Sequence, residues 1–118
     1  MLRPLLLFPL LVFSACDTAG SVPDADPQLV QSWVCDGLEE AAAHAKNGNW
    51  ENAEAAFSRA ELHFEEQLEP RLRRKMSPRA VVGIEHQWAL AKRGLRRQAG
   101  ETARELDAMA VTLREGSP

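Results

Sequence analysis

Three breaks divide residues 27–115 into four segments, and each segment carries apolar side chains at helical spacing. The breaks are Asn47-Gly48, Met76-Ser77-Pro78 and Ala99-Gly100-Glu101. Gly48 can take the left-handed conformation that closes a helix, while Ser77 followed by Pro78 is a cap and first residue of a new one. Connections this short favour antiparallel neighbours, so the expected fold is all-α, an up-down four-helix bundle with helices at about 27–46, 50–75, 78–98 and 101–115.

The first segment starts at Pro27 behind Asp26 as N-cap, and repeats Leu29, Val30, Trp33, Val34, Gly37, Leu38, Ala41 and Ala45. The second, capped by Asn49 with Glu51 in its first turn, has Trp50, Ala53, Phe57, Ala60, Phe64, Leu68 and Leu72 as its stripe. Glu61 and Glu65 flank that stripe, and straight helical phase turns Glu66 and Glu69 to another side. Pro70 lies inside the period, so this helix is expected to kink or loosen around residues 67–70. The third segment shows Val81, Ile84, Trp88, Ala91 and Leu95, and the fourth Ala103, Leu106, Ala110 and Leu113 with Met109 alongside. Trp33, Trp50 and Trp88 read as core anchors.

Composition agrees: Tyr is absent from the 118 residues, and Ala, Leu, Glu, Arg and Gln dominate after residue 28. The length suits one domain. A net charge of -3, with no interleaving of aromatic and basic residues, argues against a nucleic-acid partner.

Residues 1–15 read as a targeting segment. Arg3 supplies a positive start, and residues 5–13 are an apolar run, interrupted only by Pro9, that is too short to span a bilayer. The run ends Val12-Phe13-Ser14-Ala15-Cys16, which resembles the lipobox of bacterial lipoproteins, with Cys16 the residue that would be acylated; Phe13 is unusual there. The alternative is an ordinary signal peptide with an incidental Cys. Two or more acyl chains, each burying methylenes worth ~0.8 kcal/mol, anchor a protein stably. Residues 16–26 then read as the lipidated Cys and a flexible tether, and residues 27–115 as the bundle. The location this implies is the bacterial envelope, facing the periplasm, with inner and outer membrane both open; Asp17 resembles an inner-membrane retention signal.

Charge is segregated along the chain. Residues 36–69 hold nine acids against Lys46 and Arg59, and residues 71–97 hold nine basic residues against Glu85. The simplest use of this pattern is charge complementarity between helices. The sharper one is a basic interaction patch of Arg71, Arg73, Arg74, Lys75, Arg93 and Arg97, facing anionic headgroups or an acidic partner.

No nucleophilic triad, Gly-rich phosphate loop or paired-Cys metal motif is present, so no enzyme activity is expected. The remaining constellation is His63, Glu65, Glu66 and Glu69 with Glu85 and His86. His63, Glu66 and Glu69 are spaced i, i+3 and share a side of a regular helix. Glu85 and His86 are adjacent and diverge by about 100°. Helical bundles hold metals with inward Glu and His from facing helices, and oxygen and imidazole donors suit iron or another divalent ion. Solvated surface glutamates are the commoner use of such residues. Cys35, the thiol that remains if Cys16 is acylated, reads as a small hydrophobe beside the first stripe, with pairing between molecules as the other option.

Two resemblances follow. Gly48-Asn49-Trp50 with Ala53, Phe57 and Ala60 resembles the second half of a tetratricopeptide repeat. Gly37 and Glu40 stand where that repeat has a Trp and a Leu, and no second copy occurs at its period of about 34 residues. Residues 46–115 resemble the extracytoplasmic helical domain of bacterial high-affinity iron permeases. The likeness rests on the Gly-Asn turn, Phe64-Glu65-Glu66-Gln67-Leu68-Glu69, Ile84-Glu85-His86-Gln87-Trp88 and the break at Gly100. It implies a role beside metal (iron) uptake, with Glu66, Glu69 and Glu85 as carboxylate ligands, His63 or His86 in support, and an iron permease or other envelope protein as partner. The permease helices and the membrane-embedded Arg-Glu-x-x-Glu motifs of that family are not in this chain. The alternative function is a non-catalytic adaptor that docks an envelope protein.

Overall fold

The computed structural model describes residues 26–116. The expected targeting segment, Cys16 and the expected tether up to Ala25 lie outside the described residues. The bundle consists of α1 (Pro27–Lys46), α2 (Trp50–His63), a π-helical turn (Phe64–Leu68), α3 (Glu69–Lys75), α4 (Pro78–Arg97) and α5 (Thr102–Glu115). The backbone stays right-handed helical from α2 through the π turn into α3. These three pieces therefore form one rod, and the architecture is the expected all-α four-helix bundle.

Local chemistry sets the ends of the rods. Asp26 accepts from the Gln28 N–H at 3.2 Å, and the Ser77 hydroxyl accepts from the Ala80 N–H at 3.2 Å, so both caps neutralise an orphan donor. Asn49 occupies the N-cap position of α2 without a side-chain capping bond. Gly48 closes α1 at φ 74, while α4 ends at Gln98 with φ 55. Gln98, the last residue of the expected third helix, is the left-handed cap, and after the break at Gly100 α5 begins at Thr102.

The rods form a ring in which α1 packs on α2 and α5, and α4 closes the other side against α2, α3 and α5. The α1–α2 seam is built on small residues: Gly37 of α1 lies against Ala56 and Ala60 of α2, and Ala41 and Ala53, one to two turns along the same faces, are buried as well. Such side chains let backbones come close. On the other side of α1, the Cys35 thiol donates to the Ala110 carbonyl at 3.5 Å. Cys35 is fully buried, and its thiol is pushed up in pKa chiefly by burial. It is an inert core residue.

By contrast, α4 buries only Val81, Trp88, Ala91 and Leu95 of its twenty residues. It is held by an aromatic cluster in which Trp88 stacks on Phe64 at 4.8 Å and tilts against Phe57 at 5.3 Å. The large rings act as spacers, and α4 stands further from the other rods than α1 does. Two expected stripe members lie at the surface: Leu29 is exposed, and Trp33 rests against the His63 ring at 5.2 Å rather than in the core. Trp50 is only partly buried.

Ion pairs join the rods along their rims: Arg59 to Glu40, Lys46 to Asp107, Arg114 to Asp36 and Glu39, and Lys92 to Glu61. Each contributes roughly 0–1 kcal/mol at such exposure. Much of the charge segregation in the sequence is used in this way, between helices.

Candidate functional site

The spacing of α4 leaves a cleft of about 450 Å³ between it and the rod that contains the π turn. Phe64, Trp88 and Ala89 give it an apolar wall, Glu61, Glu65, Glu69 and Glu85 line it with acids, and Lys92, Arg93 and Arg96 line it with bases. Along α4 the order is Glu85, Trp88, Ala89, Lys92, Arg93, Arg96, all on one helical face. The α4 wall therefore runs from acidic at Glu85 to basic at Lys92, Arg93 and Arg96, while the facing rod is acidic along its length, with Glu61 paired to Lys92. The Trp88 indole N–H is buried without an acceptor among the described residues. A donor in that condition costs about 1–3 kcal/mol relative to a satisfied one.

The π turn decides which acids face the cleft. Pro70 has no N–H, and its ring would collide with the carbonyl four residues back in a regular helix. The chain widens one turn ahead of it, and the Glu69 N–H donates to the Phe64 carbonyl five residues earlier. The loosening expected at residues 67–70 is thus present but begins at Phe64. Its consequence is a change of phase. Glu69 joins Glu61 and Glu65 on the cleft wall, while Glu66 is exposed and does not line the cleft.

The sequence-based ligand set accordingly comes apart. Glu69 and Glu85 do meet across the two rods, within hydrogen-bonding reach of each other. Arg73 donates to both, at 2.9 Å to Glu69 and 2.6 Å to Glu85. Glu66 is exposed, His63 lies against Trp33 at the α1 side, and His86 is exposed on α4. Among the described residues no three His, Cys, Asp or Glu side chains come close enough to share a metal ion. The five residues Glu66, Glu69, Glu85, His63 and His86 do not form one site, and the pair that does form already has a guanidinium as its counter-ion. These residues do not fit a resident iron or other divalent ion.

The basic patch also divides. Arg71, Arg73, Arg74 and Lys75 lie on α3, whereas Arg93 and Arg97 lie at the opposite end of α4. Arg73 is engaged by the glutamate pair, and Arg93 belongs to the cleft.

Burial raises the pKa of Glu69 above its ordinary 4.5, and the adjacent Glu85 raises it further, against the lowering effect of Arg73. A carboxyl raised in the fold takes up its proton at a higher pH than in the unfolded chain. Its contribution to stability is therefore full below about 4.5 and is lost as pH rises through the raised value. Denaturant unfolding of the wild type and of Glu69→Gln should show the difference between them moving in favour of the wild type as pH falls from neutral. A constant difference would mean that Glu69 titrates alike in both states.

Comparison of the chain with protein-family models, with curated proteins and with solved structures finds no match, so the likenesses to iron permeases and to a tetratricopeptide hairpin stand on the sequence motifs alone.

Proposed function

We propose that the protein is a lipid-anchored, envelope-facing helical adaptor without catalytic activity, acylated at Cys16 and binding a partner segment in the cleft between α2 and α4. The observation that supports this reading is the cleft itself: an aromatic wall of Phe64 and Trp88 between the glutamates of one rod and Arg93 and Arg96 of α4. Such a lining suits an extended peptide of mixed charge, with an apolar side chain on the rings and polar groups paired on either side. The partner is then an envelope protein that offers such a segment.

The other role, an accessory to metal (iron) uptake, has one observation in its favour, the meeting of Glu69 and Glu85. Arg73 between them and the divergence of Glu66, His63 and His86 weigh against it. One pair of measurements separates the two roles. A photoactivatable residue at Ala89, on the cleft wall, should give a discrete cross-linked partner in envelopes, and Arg93→Glu with Arg96→Glu should abolish it. Calorimetric titration with ferrous, ferric, cupric and zinc ions should show no micromolar binding. Micromolar binding that disappears in Glu69→Gln with Glu85→Gln would replace the adaptor reading with the metal one.

A further inference from the structure

The end of the bundle at which the described chain begins also carries a group of cations that nothing else in the fold uses. The first turns of α1, the last turn of α3, the start of α4 and the end of α5 meet in one layer. Gln31 of α1 donates to the Leu113 carbonyl of α5, and a small apolar cavity there is walled by Gln31, Leu72, Met76, Ile84, Leu113 and Gly116. The N-terminal segment joins the fold at this layer, at Asp26. The α3–α4 corner in the same layer presents Arg74, Lys75 and Arg79, all exposed and in no ion pair among the described residues. The nearby acids Glu69 and Glu85 share the Arg73 guanidinium and pair with none of these three cations. Asp26 and Glu115 belong to the α1–α5 side of the layer. Val82, one turn beyond Arg79 on the same helix, is 60% exposed and sets an apolar side chain beside that cation.

We propose that this corner docks on anionic phospholipid headgroups, with Arg74, Lys75 and Arg79 taking the phosphates and Val82 lying at the edge of the acyl region. The surface is one that the tether would hold within reach: eleven residues, 16–26, cover at most a few tens of ångströms, so the corner faces the bilayer at high local concentration. The proposal rests on the anchored reading of Cys16 for that proximity, and on the charge and exposure of the corner for the binding itself. Docked in this way, the bundle stands with its long axis away from the membrane. The basic end of the α4 wall, at Arg93 and Arg96, is then turned toward the envelope space, where a partner can approach.

The test uses the full chain with Cys16→Ser, so that no acyl chain contributes, and follows its co-sedimentation with vesicles. Vesicles of equimolar phosphatidylglycerol and phosphatidylcholine are compared with vesicles of phosphatidylcholine alone. The apolar run of residues 5–13 is common to all variants and cancels in the comparison. Each exposed cation at an anionic surface contributes a factor of about five, so Arg74→Glu, Lys75→Glu and Arg79→Glu together should weaken binding to the anionic vesicles by at least on the order of a hundred-fold. Binding to the neutral vesicles should stay unchanged. Replacing all three with Gln should give an intermediate loss, and raised salt should remove the preference of the wild type. Arg93→Glu with Arg97→Glu, at the far end of the bundle, should have a much smaller effect. All these positions are exposed, and unchanged helicity confirms that the variants fold. Equal binding of the wild-type chain to both vesicle types, or an equal loss from the far-end variant, overturns the proposal and leaves the corner to an acidic protein. The mass of the chain recovered from envelopes reports acylation of Cys16 separately, so a missing lipid and a corner that does not bind are distinguishable failures.

Discussion

Phe64→Ala should lower the stability of the bundle by about 3–5 kcal/mol, the range for deleting a buried aromatic ring. Phe64 is 2% exposed and stacks on Trp88, itself the main anchor of α4. α4 buries few other side chains, so the loss falls on one rod more than on the whole fold. Small domains are stable by only about 5–15 kcal/mol, and a change of this size is a large fraction of the total. Denaturant unfolding should show the lower midpoint, and tryptophan fluorescence should report the loosening of α4 ahead of the loss of helicity in α1. A change below about 1 kcal/mol would mean that α4 is held by its ion pairs instead, against the weakness expected of exposed pairs.

The second large effect is expected at the opposite seam. A Cβ built on Gly37 would sit 2.8 Å from the Cβ of Ala60, closer than side chains come in real proteins. Gly in a helix interior is destabilising by roughly 0.5–1 kcal/mol relative to Ala, so in Gly37→Ala the gain in propensity offsets only part of the clash, because the Ala60 Cβ is fixed to its backbone and cannot swing aside. Gly37→Val adds to the clash. It drives a branched side chain into a seam already closed by Ala56 and Ala60, and should destabilise by about 3 kcal/mol or more. Thermal unfolding measures it, and the partner is identified by a cycle: Ala60→Gly should recover part of the loss in Gly37→Val. No recovery would place the strain elsewhere than at Ala60.

The two seams differ in how far the sequence discloses them. The small residues of α1 and α2 recur at helical spacing, so a close approach is legible in the chain, and so are the caps at Asp26 and Ser77. The end of α4 at Gln98 was legible from the break that follows it, but the left-handed conformation of Gln98 itself was not, because Gln rarely adopts it. Trp33 shows the limit of periodicity. It falls on the stripe by spacing, yet α1 is covered by α2 and α5 over an arc that ends before it reaches Trp33, and the ring settles on His63 at the rim. The candidate site was legible in part: Glu69 and Glu85 are both in the sequence-based set, but Glu61, Lys92, Arg93 and Arg96, which share the cleft with them, carry no pattern that marks them as neighbours.

Four helices, their limits and their antiparallel order follow from the sequence by itself, because breaks, caps and apolar spacing act over three or four residues and need no partner. The direction in which the acids point was decided only in the tertiary structure. Pro70 weakens the helix wherever it is, but a full extra residue is taken up at Phe64–Leu68, where Phe64, Leu68 and Leu72 all reach the core and Glu69 is turned to Glu85 and Arg73 on another rod. Helical phase is a sum over every preceding turn. One wide turn, placed by packing across the bundle, therefore resets which side chains meet.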